Sequence, residues 1–381
     1  MRSRAFHIIL FLASTFMVGA QNTDLVGAKR NSYISVNLFN SHLWAHYPEL
    51  EKIAGFHHVL DVRYFYKTNG DKYWHWAYDY PKIGVGLNAG QFTSPEIGKT
   101  FAGYVFGTFP VYKFKNFKVE WDVCTGLGWV ENIYDPLTNP NNIGVSTHLN
   151  AYLDLNLNTT FKITNRFNGF VGAGISHFSN GAGKKPNMGL NMLGVRTGII
   201  YRLEDELIEP CERVDYPEIN KKWGLDIRYG AGKLSINDHV ETYLAQNLQF
   251  LIAKRFTKRH RLGVAFDLVK DNSLKWKQYL LDGEHSDLLG PLAKKLEGKE
   301  ISLYQGGILV SSEFILRHLS LVTQFGYMAF YTYDSLPIYE RFGVRYIVAK
   351  GIFLDMSLRA QGNKAKEITW GIGYAINRGL D

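Results

Sequence analysis

Residues Leu149–Asn158 read LNAYLDLNLN. Leu149, Ala151, Leu153, Leu155 and Leu157 alternate with Asn150, Tyr152, Asp154, Asn156 and Asn158. Only an extended chain sorts such a pattern, because successive side chains of a strand point to opposite faces while a helix would mix them. The run is long enough to span a bilayer as a tilted strand, which takes ~9–11 residues, and it exceeds the ~5–6 of ordinary soluble strands. Val119, Trp121 and Val123 against Glu120 and Asp122 repeat the pattern. So do Leu262, Val264, Phe266 and Leu268 against Gly263 and Asp267, and the run Ile368, Trp370, Ile372, Tyr374, Ile376. Soluble sandwiches alternate too, but strands of this length with Asp, Asn, Arg, Tyr and Gly on the second face describe a polar interior wrapped by an oily wall. The predicted fold is all-β: an antiparallel transmembrane β-barrel.

The turns give an independent check. Short connections fall at Lys115-Asn116, Asn165 to Asn168, Thr257 to His260, Arg317-His318 and Lys350-Gly351. In an antiparallel barrel all short turns share the periplasmic end, so an even number of strands must separate them. The pattern supplies two, four, two and two. Longer polar stretches, Ser41 to Gly55, Glu131 to Gly144, Asn180 to Met188 and Asp271 to Glu300, then lie at the external end. Two long stretches, residues 68–82 and 204–222, land on the short-turn side and imply either lumen plugs or a miscount. The expectation is 14–16 strands, with 12 acceptable, in one domain over residues 21–381. The chain has no repeat or linker that would divide it.

The first residues, MRSRAFHIILFLASTFMVGAQ, pair Arg2 and Arg4 with an apolar run and a small-residue site at Val18-Gly19-Ala20, the layout of an export signal over residues 1–20. No later stretch is apolar enough for a membrane helix. With 46% hydrophobic residues and 37 glycines in 381 residues, disorder is excluded and a large barrel is affordable in material. The net charge of +8 falls to +6 when Arg2 and Arg4 leave, and the excess is scattered, which suits anionic lipid surfaces and argues against nucleic acid. Cys124 and Cys211 are allowed to pair in an exported chain, and spacing does not decide whether they do. No Cys/His spacing indicates a metal.

One segment carries chemistry. In NGFVGAGISHFSNG, Val171, Ala173, Ile175, His177 and Ser179 share the apolar face. On the returning segment GLNMLGVRTGII, Asn191 shares parity with Leu193, Val195, Thr197 and Ile199. A serine hydroxyl needs an imidazole to take its proton, and that imidazole needs a third group to fix its tautomer. His177 and Ser179 are at i and i+2 of a strand, and Asn191 across the hairpin can offer its amide oxygen. Backbone N–H groups at Asn180-Gly181 can serve a developing oxyanion. If the apolar face meets lipid, the substrate is an acyl ester already in the membrane. Polar side chains there are costly unless they satisfy one another.

The stretch HFSNGAGKKPNMGLN, His177 to Asn191, is similar to the His-x-Ser-Asn motif and the following Lys-x-Pro-Asn-x-Gly run of the lipid A 3-O-deacylase (acyloxyacyl hydrolase-like) family of outer-membrane barrels. That resemblance implies Ser179 as nucleophile, His177 as base, and Asn180, Gly181 and Asn187 around the oxyanion. The family's third member is a glutamate, where this chain has Asn191. An asparagine in that role, with His-x-Ser-Asn-Gly, also resembles outer membrane phospholipase A, which would bring calcium dependence; the deacylase reading implies no cofactor. The resemblance covers about Gly169 to Ile200. It implies lipid A or lipopolysaccharide as substrate, phospholipid as the alternative, and the outer membrane as location, and leaves oligomeric state open.

Other residues have blander readings. Lys184 and Lys185 are candidates for lipid phosphate or a solvated loop tip. Tyr73, Trp74, Trp76 and Tyr78 read as an interfacial aromatic belt. His148 begins a strand and reads as an interfacial residue, while His57, His58, His75 and His260 show no ligand spacing and read as structural. Arg196, Arg202, Asp226 and Arg228 either line a pore or pair across a filled interior. The runner-up class is therefore a transport or structural barrel with a vestigial site.

Overall fold

A computed structural model describes residues 31–181, 184–205, 211, 223–235, 242–257, 259–283, 300–316, 318–330, 337–361 and 364–377. The expected export signal, and all of segment 204–222 except residues 204, 205 and 211, lie outside the described residues. Among the described residues sixteen antiparallel strands carry the fold: β1 Asn31–Leu43, β2 Phe56–Lys67, β3 Lys82–Phe92, β4 Lys99–Lys113, β5 Phe117–Val130, β6 Leu149–Lys162, β7 Phe167–Ser179, β8 Leu190–Arg202, β9 Trp223–Ser235, β10 Thr242–Arg255, β11 His260–Asp271, β12 Tyr304–Leu316, β13 Leu319–Phe330, β14 Ile338–Ile347, β15 Ile352–Gln361 and β16 Lys364–Ile376. Most are 12 to 15 residues long, as the bilayer-spanning reading requires. No helix among the described residues is long and apolar enough to cross a membrane.

The sixteen strands close twice. β8 returns to pair with β1, with Val36 opposite Ile199, and β16 pairs with β9, with Tyr374 opposite Ile227. The result is two eight-stranded barrels, β1–β8 and β9–β16, where the sequence reading expected one barrel. Twelve strands are excluded. The reason for the difference is physical: alternation and turn parity are properties of one strand and its sequence neighbours, and they are identical for sixteen strands in one ring or in two. Closure is decided by pairing between β1 and β8, which local pattern does not encode. Segment 204–222 is thus the connection between the barrels.

Each wall is oily outside. On β6 the leucines Leu149, Leu153, Leu155 and Leu157 are exposed and Asn150, Tyr152, Asp154, Asn156 and Asn158 are buried, as the alternation predicted. An eight-stranded barrel is just wide enough for side chains to fill it, and ion pairs do so here. In the first barrel Arg196 bridges Asp61 and Asp154, both at 2.8 Å, and Arg63 reaches Asp61 at 3.0 Å and Asp122 at 2.6 Å. In the second, Asp226 accepts from Arg261 at 2.6 Å and Arg345 at 2.7 Å, Arg341 meets Asp267 at 2.8 Å, and Arg228 meets Asp355 at 2.6 Å. Arg196, Arg228 and Asp226 therefore pair across filled interiors, while Arg202 donates to the carbonyls of Glu204 and Asp205 at a barrel end. Cys124 is buried in the first barrel, Cys211 is exposed, and both are free thiols.

The short turns at Lys115-Asn116, Asn165 to Asn168 and Lys350-Gly351 fall between paired neighbouring strands as the sequence placed them, and those at Thr257 to His260 and Arg317-His318 include residues outside the described ones. Segment 68–82 shares their end of the first barrel and forms a short helix, α1 (Tyr73–Ala77), rather than extra strands. Tyr78 is buried there, with its ring edge-on to Phe109, so it does not join an outer aromatic belt. His57 is a buried lumen residue bonded to Thr100 at 2.8 Å. The second barrel carries one helix among its described connections, α2 (Leu274–Asp282), between β11 and β12.

Candidate active site

The opposite end of the first barrel holds the loops 44–55, 93–98, 131–148 and 180–189. They are packed over a layer that includes Phe39, Phe92, Phe178 and Leu190, with Leu50, Ile53, Ile97 and Val145 fully buried between. Phe178 is the anchor for the site. Its ring turns inward, 5.0 Å from that of Tyr152, and its neighbours His177 and Ser179 therefore face outward.

Across the hairpin, Asn191 of β8 lies directly opposite His177 of β7. Its outward neighbours Leu193 and Val195 are more than half exposed, so the polar group borders an apolar wall. The His177 ring Nδ1 and the Asn191 Oδ1 are 2.6 Å apart. An amide oxygen only accepts, so His177 carries its proton on Nδ1 and presents Nε2 as the acceptor on the side chain that shares a face with Ser179.

The loop completes the surroundings of the serine. Asn187 Nδ2 donates to Ser179 Oγ at 2.8 Å, and its Oδ1 accepts from the Asn180 N–H at 3.2 Å, which fixes the sense of the amide. Asn180 Nδ2 in turn donates to the Lys184 carbonyl at 2.8 Å and to Ser146 Oγ at 3.2 Å, and the Ser146 hydroxyl donates to that same carbonyl at 2.8 Å. Gly181 follows in the turn with φ of 65°. Lys184 thus contributes its backbone to the loop while its side chain stands exposed, and Lys185 beside it is half-buried. The structure brings His177, Ser179, Asn180, Asn187 and Asn191 together, with Lys184 and Lys185 on the same loop.

Two contributors escaped the sequence. Ser146 comes from the 131–148 loop, and His46 from the loop after β1, where its Nδ1 lies 3.2 Å from Asn191 Nδ2. Neither position bears a local signal, because only closure of β1 on β8 brings His46 to Asn191. Gly189 is the glycine of the Lys-x-Pro-Asn-x-Gly run, to which the sequence reading gave no role. It has φ of +79°, and a Cβ there would stand 2.7 Å from His177 Cε1. Gly189→Ala should therefore displace the imidazole and strain the backbone; kcat should fall by about 100-fold with the barrel still folded, measured by steady-state hydrolysis and heat-shift electrophoresis.

The model of lipid A 3-O-deacylase (PagL) matches residues 58–199, which includes the entire His177–Asn191 stretch. The model of the acyloxyacyl hydrolase C-terminal domain matches residues 223–378, the whole second barrel. The chain belongs to the lipid A 3-O-deacylase family. Each model ends within a few residues of a barrel boundary, so the two-barrel division coincides with the division between the family's two models. For this family member, barrel and kinship together give an outer-membrane protein. No curated protein matches the chain. Among solved structures it is similar to Neisserial surface protein A, at 9% identity over 45% of this chain and 97% of that one with a TM-score of 0.32. It is also similar to the β-domain of the Bordetella autotransporter BrkA, at 8% identity over 92% of this chain and 100% of that one with a TM-score of 0.24.

Proposed function

We propose that this deacylase-family member is a serine esterase that removes an ester-linked acyl chain from lipid A at the outer, lipid-facing wall of its first barrel. The observation that carries the reading is the 2.6 Å contact from His177 Nδ1 to Asn191 Oδ1, on the outward face that also bears Ser179. Ser179 Oγ attacks the ester carbonyl as His177 Nε2 takes its proton. The tetrahedral oxyanion forms beside Asn187 Nδ2 and the backbone N–H groups that follow Ser179. Collapse expels the sugar hydroxyl, which takes the proton back from His177. Water, activated by the same imidazole, then releases the fatty acid and restores Ser179.

An exposed apolar wall suits this substrate. The acyl chains lie against Leu193, Val195 and Leu153 without leaving the bilayer, while the sugar head stays at the level of the 180–189 loop. Lys184 is exposed on that loop, which supports a contact with a phosphate of the head group.

Asn191 favours a second reading, a phospholipase that uses the same serine on glycerophospholipid, since its amide stands where the family resemblance implies a carboxylate. Mass spectrometry of lipids from cells expressing the wild type or Ser179→Ala separates the two. Loss of one hydroxyacyl chain from lipid A with the wild type alone supports the deacylase; serine-dependent lysophospholipid supports the phospholipase. A deacylase should also keep its activity, to within about twofold, in excess EDTA, because the steps above use only protein groups. Loss of activity on chelation, restored by calcium, would move the assignment to the phospholipase.

A further inference from the structure

An asparagine is an ambiguous orienting residue. A carboxylate accepts at either oxygen, but an amide accepts at one end and donates at the other. Rotated by half a turn, Asn191 would present N–H groups to His177 Nδ1. The imidazole would then move its proton to Nε2 and cease to be a base toward Ser179. Something must hold the amide in the productive sense.

We propose that His46 is that positioning residue, a fourth member of the site which acts through Asn191; the inference rests on the catalytic reading above. The chain leaving β1 stays in register with β8, since Leu43 lies opposite Met192 and the Trp44 N–H donates to the Asn191 carbonyl at 2.8 Å. The His46 N–H then donates to the Trp44 carbonyl at 2.9 Å, which turns the chain and lays the imidazole against Asn191. His46 Nδ1 lies 3.2 Å from Asn191 Nδ2, and His46 Nε2 lies 3.1 Å from the Met188 carbonyl.

These two partners decide the tautomer. A carbonyl requires a donor, so Nε2 carries the proton; Nδ1 is then a lone pair, which accepts from the Asn191 amide. The opposite tautomer would set a lone pair against the Met188 oxygen and an N–H against the amide N–H. Its one gain would be the Trp44 carbonyl, 3.2 Å from Nδ1, which already accepts the His46 backbone N–H. Donors and acceptors therefore run one way, from the Met188 carbonyl through His46 and Asn191 to His177. The Met188 carbonyl belongs to the loop that also carries Asn187, and the Met188 N–H is tied to the Ile143 carbonyl at 3.1 Å. The chain of neutral groups does for an amide what a second carboxylate oxygen does without help.

The test uses the full-length protein in detergent, with lipid A as substrate and with histidine labelled in nitrogen-15. His46→Ala should lower kcat by roughly 10- to 100-fold and leave KM within about twofold. His46→Gln should recover most of that loss, since its Oε1 can accept from Asn191 Nδ2. In an Asn191→Glu background, where no amide needs orienting, His46→Ala should cost less than about threefold. Imidazole nitrogen shifts should report His177 protonated on Nδ1 in the wild type and in His46→Gln, and a mixture in His46→Ala. An unchanged His177 tautomer in His46→Ala, or an equal loss of kcat in both backgrounds, overturns the proposal. If Ser179→Ala hydrolyses lipid A as well as the wild type, the catalytic reading falls, and the tautomer measurement still decides whether His46 holds the amide.

Discussion

Ser179→Ala should abolish lipid A deacylation, lowering the turnover rate by about 10⁴-fold or more, with the barrel folded and inserted as before. The magnitude follows from the role: without the hydroxyl no acyl-enzyme forms, and what is left is the modest acceleration that oriented water and oxyanion donors can give. The structure argues against a folding defect. Ser179 closes the outward end of β7, is half-buried, and its removal leaves Asn187 Nδ2 without its 2.8 Å acceptor. Such a loss at a water-accessible rim costs about 1 kcal/mol. Phe178, which fixes the direction of the strand, is untouched. Lipid mass spectrometry on cells with equal amounts of heat-modifiable barrel reads both quantities at once. A variant that folds and still shortens lipid A removes serine chemistry from this protein.

What sequence could and could not reveal follows from the range of the interactions concerned. The outward leucines of β6 and the buried asparagines between them are local facts, since a period of two is written in each strand. The pairing of His177 with Asn191 was also legible. A hairpin with a loop of ten residues keeps parity countable, and the register places the two residues opposite each other as the shared apolar face required. His46 was not legible, because it meets Asn191 through the ring closure of β1 on β8, residues separated by most of the first barrel. The same ignorance of closure merged two barrels into one. Of the two long stretches that broke the short-turn rule, 68–82 and 204–222, the second has eight described strands on either side of it.

The second large effect is expected in the other barrel, where Asp226→Ala should lower the free energy of unfolding by about 3–5 kcal/mol. Asp226 is 1% exposed and accepts three bonds from two guanidiniums, Arg261 at 2.6 and 2.8 Å and Arg345 at 2.7 Å. Glu313 approaches the same pair at 3.3 and 3.7 Å. Removing Asp226 takes from the buried guanidiniums of Arg261 and Arg345 the carboxylate that both bond, leaving Glu313 and, for Arg345, the field of Asp355, and that undercompensated buried charge, more than the lost attraction, sets the cost. The effect should be confined. The β1–β8 sheet closes entirely on its own hydrogen bonds, as does β9–β16, so neither lends the other a strand. Urea titration in detergent with protease protection mapped by mass spectrometry should show the midpoint for residues 223–376 falling and that for residues 31–202 staying in place. A common shift of both would mean that the two rings unfold as one cooperative unit. A drop limited to the second ring would establish that the deacylase-like barrel carries its site on a scaffold that stands without its partner, and that the family's C-terminal model describes a separate folding unit.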